Sequence, residues 1–141
     1  MEGSMIDWVL EVFCKYATFD GRARRKEYWY WYLFNFIVSI FIAVVSLVIN
    51  LPNGTETDYG IGWFGLFINI VVIIYSLGVF IPNLAVTVRR LHDTNRSGWW
   101  YFISMVPFIG GIILFIYLIE DSTPGDNQYG LNPKTGLETT T

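Results

Sequence analysis

The side chains best suited to chemistry in this 141-residue sequence are arginines, and they come in two blocks. In the first, Arg22, Arg24, Arg25 and Lys26 put four cations into five residues, directly before the belt Tyr28-Trp29-Tyr30-Trp31-Tyr32. In the second, Arg89, Arg90 and Arg96 surround the sole histidine, His92, and the block runs into Trp99-Trp100. Guanidinium groups grip phosphate bidentately. Basic residues beside a membrane helix gain about 1 kcal/mol each from anionic lipid. Both blocks therefore read as a site for anionic phospholipid headgroups or an acidic partner, built from Arg22, Arg24, Arg25, Lys26, Arg89, Arg90, His92 and Arg96. The plainer reading, a topology signal with an aromatic anchor, stands beside it.

Other chemistries find little support. His92 and Asp93 are sequence neighbours, which do not face each other on a helix. One histidine with a single distant cysteine, Cys14, is a poor metal set. No phosphate-binding loop, zinc motif or nucleophile elbow is present. The expectation is thus no enzyme, no cofactor and no metal. If His92 has a role, it is pH response or phosphate binding.

A third pattern runs inside the apolar segments. Asn35, Ser39, Ser46 and Asn50 share one helix face, as do Asn69, Ser76 and Asn83, spaced seven apart and joined by Thr87. Ser97, Ser104 and Gly111 repeat the spacing. Such stripes let membrane helices approach and hydrogen-bond. They would also line the path of a small oligomeric channel or transporter. No ionisable residue lies mid-run, where ion pathways usually keep one.

The elements that carry these residues follow from composition. Hydrophobic residues make up 53% and charged residues 15%, against about 25% charged in soluble domains. The 26 aromatics outnumber the 21 charged side chains. A soluble domain of this size could not cover its surface that way. Net charge is −3, and a nucleic-acid binder needs a basic excess. Three runs carry no charge, 28–49, 61–88 and 99–119, and each reaches the roughly 20 residues that span a bilayer. The second is overlong, so Pro82 is expected to kink it, or the helix to tilt. Ahead of them, residues 5–17 read as an amphipathic surface helix, with Ile6, Val9, Leu10, Phe13 and Ala17 on one face and Asp7, Glu11 and Lys15 opposite. The alternative is a helix packed on the rest of the protein. Thr18 to Gly21 is a turn, with Asp20 a candidate N-cap for the first membrane helix. Trp8, Trp29, Trp31, Trp99 and Trp100 are the expected interface anchors.

The fold class is therefore an all-α integral membrane protein, three transmembrane helices preceded by an amphipathic surface helix. It forms one domain over 5–134 with a polar tail over 120–141. The opening residues 1–4 read as a cloning remnant. Basic residues flank the first run and fill the second loop but are absent from 50–60, which puts the N-terminus and second loop in the cytoplasm. Three crossings then leave the tail outside. Against that, Glu120 and Asp121 follow a helix C-terminus, where acids are disfavoured unless arginines are near. Pro107 and Gly110-Gly111 would let the third run turn back and bring the tail inside.

The stretches FDGRARRKEYW, NLAVTVRRLHDTNRSGWW and DSTPGDNQYGLNPK resemble the small bacterial inner-membrane family catalogued as domain of unknown function 805. The resemblance runs from Met5 to Lys134. It implies the bacterial cytoplasmic membrane and no established activity. Where this sequence has Asn95 the family commonly has Gly, and Asn tolerates the same left-handed backbone. Leu131 stands where the family commonly has Pro, which implies a looser tail. The function expected is a membrane interaction module with a basic cytoplasmic face, either alone or joined to its own kind or another membrane protein.

Overall fold

The computed structural model describes residues 3–49 and 63–134, without the side chains of Ile49 and Phe64. The expected first loop from Asn50 to Gly60, stripe residue Asn50, Ile61 and Gly62, and the end of the tail lie outside the described residues, as do Met1 and Glu2. The order is α1 (Met5–Cys14), α2 (Arg25–Ile49), α3 (Trp63–Asp93), a 3-10 helix (Gly98–Met105) and α4 (Gly110–Ile119).

Helix α1 starts at a capping box. The Ser4 hydroxyl accepts from the Asp7 N–H while the Asp7 carboxylate accepts from the Ser4 N–H, which satisfies two orphan donors. The helix packs Val9 and Val12 onto α2 and α3 and leaves Ile6, Leu10 and Phe13 exposed. It is thus docked on the bundle along one face and apolar on the other. Asp20 does not cap α2, which begins at Arg25 after Gly21 turns the chain with φ +87°.

Among the described residues, helices α2 and α3 are the two elements long and apolar enough to cross a membrane. At 1.5 Å per residue the 25 residues of α2 extend about 37 Å. Their apolar side chains face outward, with Phe41, Leu47 and Leu77 each about two-thirds exposed. The core helices of a soluble protein would bury them. Helix α3 continues through Pro82. Proline has no N–H, so the carbonyl four residues back loses its helical donor. That carbonyl belongs to Gly78, and it accepts a 2.6 Å hydrogen bond from the Tyr16 hydroxyl. The residues after α1 thereby repair the proline gap and fix α1 along the bundle.

The third apolar run departs from expectation, since it forms no membrane-length helix. Pro107 stops the 3-10 helix, Phe108 takes φ +66°, and the chain reverses into α4. The two arms press together at Gly110, where a β-carbon would sit 1.8 Å from the Ile103 carbonyl oxygen. Only glycine permits that approach. Ten residues of α4 extend about 15 Å, half of a hydrocarbon core of about 30 Å. The run is a hairpin with an apolar tip, Phe108 being 93% exposed. Its return brings the tail to the end of the bundle that holds both arginine blocks, which replaces the expectation of a tail on the opposite side. The core sits at that end, around Val12, Ala23, Trp31, Val86, Leu91, Leu114 and Leu118.

Candidate functional site

Asp93 is the hub of the arginine-rich end. It closes α3, one turn after Arg90, so the two side chains meet on one face. Arg22 Nε donates to one Asp93 carboxylate oxygen at 2.9 Å, and Arg90 Nη1 and the Ser122 hydroxyl donate to the other. All three charged side chains are buried. Burying a charge is costly unless it is paired and hydrogen-bonded, and each of these groups spends its remaining capacity on backbone. Arg22 also donates to the carbonyls of Thr123 at 2.9 Å and Gly125 at 2.8 Å. Arg90 donates to the carbonyls of Leu118 and Glu120 at the end of α4. Those carbonyls lack helical donors and carry the negative end of the helix dipole, so a cation there is stabilising. The Thr123 N–H returns a bond to the Asp93 carbonyl at 3.0 Å. The start of the chain, the end of α3 and the tail are thus clasped through one carboxylate.

Arg89 is one residue from Arg90, about 100° around the helix, and faces α2 instead. Its Nη1 donates to Glu27 at 2.6 Å with both side chains buried, and its carbonyl accepts from the Ala23 N–H. Its Nε and Nη2 are buried with no acceptor among the described residues. His92 turns away from Asp93. The ring stacks on Tyr129 at 3.9 Å, and Nδ1 lies 3.2 Å from the Gly21 carbonyl. Asn127 donates to the His92 carbonyl, so the tail covers this turn as well. Asn95 closes the turn with φ +58°, the left-handed conformation expected of it. Arg96 pairs with Glu120 at 2.5 Å and lies over the Tyr117 ring. Asp121 holds Lys134 at 2.7 Å, with Arg25 at 4.0 Å. The Lys134 ammonium, and then the Ser122 N–H, keep the Asp121 carboxyl below the usual carboxylate range.

The eight expected binding residues therefore separate. Arg22, Arg89, Arg90 and His92 are bonded within the protein. Arg96 is partly buried against the tail, while Lys26 is exposed and Arg24 and Arg25 are half-exposed where α2 begins. Among the expected anchors, Trp31 is a core residue, 1% exposed, with its indole N–H on Asn83. Trp29 lies partly buried against Phe115, Trp8 is partly buried with its N–H on the Gly3 carbonyl, and Trp99 and Trp100 are exposed. The stripe residues Asn69, Ser76 and Ser104 each donate to a carbonyl of the preceding turn, and Ser39 is exposed. Two stripe residues join α2 to α3, through Tyr75 on Asn35 at 2.8 Å and Trp31 on Asn83 at 2.6 Å.

A family model described as a protein of unknown function (DUF805) matches residues 16–131. The chain belongs to the DUF805 family. Its relatives include the inner membrane protein YhaI of Escherichia coli K12, 41% identical over 131 residues, covering 93% of this chain and 98% of the relative. The inner membrane protein YhaH of the same strain is 40% identical, covering 92% and 98%. The uncharacterized protein YiiR is 27% identical, covering 80% and 84%. No solved structure matches. Two of these relatives are thus inner membrane proteins, and this DUF805 chain carries two outward-apolar helices of membrane-crossing length among its described residues.

Sequence reasoning missed Asp93 as the hub and Ser122, Thr123, Asn127 and Tyr129 as its cover. One signal was available. Two acids directly after a helix C-terminus need arginines nearby, and Arg90 and Arg96 supply them.

Proposed function

We propose that this DUF805 protein is a membrane interaction module that gathers anionic lipid headgroups on the cytoplasmic side, by binding and not by catalysis. The clasp on Asp93 is the frame, and the binding surface is the ring of cations outside it. The observation that carries this reading is the division within one block. Arg22 is consumed internally, whereas Lys26 is exposed and Arg25 is 42% exposed by side chain at the start of α2. Each lies beside partly exposed aromatics, Trp29 and Tyr30, suited to headgroup depth. The positive-inside bias supports a cytoplasmic address for this end, and the two long apolar helices with the hairpin support two crossings and one re-entrant segment.

The test is thermal stability in detergent with phosphatidylglycerol, cardiolipin or phosphatidylcholine, at low and high salt. The anionic lipids should stabilise more, and salt should shrink the gap because exposed charges are screened within about 8 Å at physiological ionic strength. Arg25→Ala with Lys26→Ala should remove most of it, about 1 kcal/mol per cation. Equal stabilisation by anionic and neutral lipid would overturn the reading.

A further inference from the structure

Beside the clasp lies a cavity of about 270 Å³, lined by Trp8, Glu11, Lys15, Arg24, Glu27 and Pro133, with Arg22 at its wall. It is smaller than the roughly 300–1,000 Å³ of drug-sized sites. Its lining carries both signs of charge, and they are unequally satisfied. Glu11 pairs with Lys15 at 2.6 Å, and each keeps about two-fifths of its side chain exposed. Glu27 is held from behind by Arg89 through Oε1. Arg22 is committed to Asp93. The Arg24 guanidinium has no acid partner among the described residues. The cavity therefore offers one uncommitted guanidinium together with two carboxylates and a tryptophan.

A plain anion would meet Arg24 but also face two carboxylates, and a plain cation would face three cations. A group carrying a phosphate and a primary ammonium satisfies both signs of charge, with phosphate on Arg24 and ammonium on Glu11 and the Trp8 ring, where cation–π attraction adds to the ion pair. We infer that this cavity binds an aminoalkyl phosphate. Phosphatidylethanolamine headgroups and free phosphoethanolamine share that chemistry. The exposed Ile6, Leu10 and Phe13 of the same helix give acyl chains an apolar surface. This site is separate from the cation ring proposed above and does not depend on it.

The experiment measures binding of the full chain in detergent to phosphatidylethanolamine, phosphatidylcholine and phosphatidylglycerol, with soluble O-phosphoethanolamine as competitor. Phosphatidylcholine has the phosphate and the positive charge but no N–H donor. Phosphatidylethanolamine should bind roughly tenfold tighter than phosphatidylcholine, the worth of one charge-assisted hydrogen bond. Glu11→Gln should abolish that preference, and Arg24→Gln should weaken both lipids. Melting in detergent alone checks that each variant is folded. Competition by O-phosphoethanolamine would support a site for the free ester as well as the lipid. An intact phosphatidylethanolamine preference without competition would support a site for the lipid alone. Equal binding of the two zwitterionic lipids, or a preference that survives Glu11→Gln in a folded protein, would overturn the assignment.

Discussion

The arginine-rich end and the apolar middle of this molecule hold themselves together by opposite means. At the end, Arg22, Arg90 and Asp93 are buried and joined by charge-assisted bonds, Arg22 to Asp93 across 71 positions, Arg90 to Asp93 across one helical turn, and both arginines to the tail. In the middle, apolar side chains face outward and most stripe residues bond within their own helix. Cross-helix links there are few and neutral, Tyr75 on Asn35, Trp31 on Asn83 and Tyr16 on Gly78. The difference follows from the surroundings. Lipid gives helices no hydrophobic reason to associate, so neutral hydrogen bonds and close packing must suffice. At the rim, a carboxylate with several donors can be afforded because every partner is itself satisfied.

Asp93→Asn removes the charge shared by two buried arginines. Leaving a buried charge unpaired costs about 3–5 kcal/mol. The variant should melt far earlier in detergent, and protease should cut the tail near Thr123 while the intact protein resists. A loss below about 1 kcal/mol would show that the clasp contributes little.

In the middle the effects should be smaller. Tyr16→Phe deletes one neutral hydrogen bond and should cost about 1 kcal/mol. In a Pro82→Ala background the restored N–H at position 82 can bond the Gly78 carbonyl, so the same change should cost almost nothing. A double-mutant cycle measures this, and additive losses would contradict the repair of the proline gap.

The smallest effect belongs to the exposed pair Lys134 and Asp121. Because the folded protein holds the Asp121 carboxyl below its ordinary range, the pair stabilises at pH above that range and ceases to as pH falls through the lowered value. Exposure keeps the contribution under about 1 kcal/mol. Lys134→Ala should raise the Asp121 titration midpoint, followed by carboxyl NMR, and leave the melting temperature at neutral pH nearly unchanged.

Much of the architecture is legible in the residues. The uncharged runs mark α2 and α3, helical spacing marks α1, and Asn95 marks a left-handed turn. The path of the third run is only half legible: Pro107 and Gly110-Gly111 leave a reversal open beside a full crossing, and hydropathy, blind to direction, does not choose between them. Residues 99–119 are as uncharged as the runs that form α2 and α3, and their reversal depends on Phe108 and on the 1.8 Å approach that Gly110 alone permits. Nor does composition tell which arginine is buried. Arg22 and Arg24 are two residues apart, yet one is clasped on Asp93 and the other faces a cavity. That choice is made by the tail, whose carbonyls arrive from 100 residues away.

The clasp and the hairpin both require that the tail and the start of the chain share one end of the molecule. Single cysteines settle this, with Cys14→Ser in both proteins and Asp20→Cys in one, Lys134→Cys in the other. Each is treated with a membrane-impermeant maleimide in intact spheroplasts and in inverted membrane vesicles. Both cysteines should react only in the inverted vesicles. Labelling of the residue-134 cysteine in spheroplasts, with the residue-20 cysteine protected there, would contradict the hairpin and the clasp together.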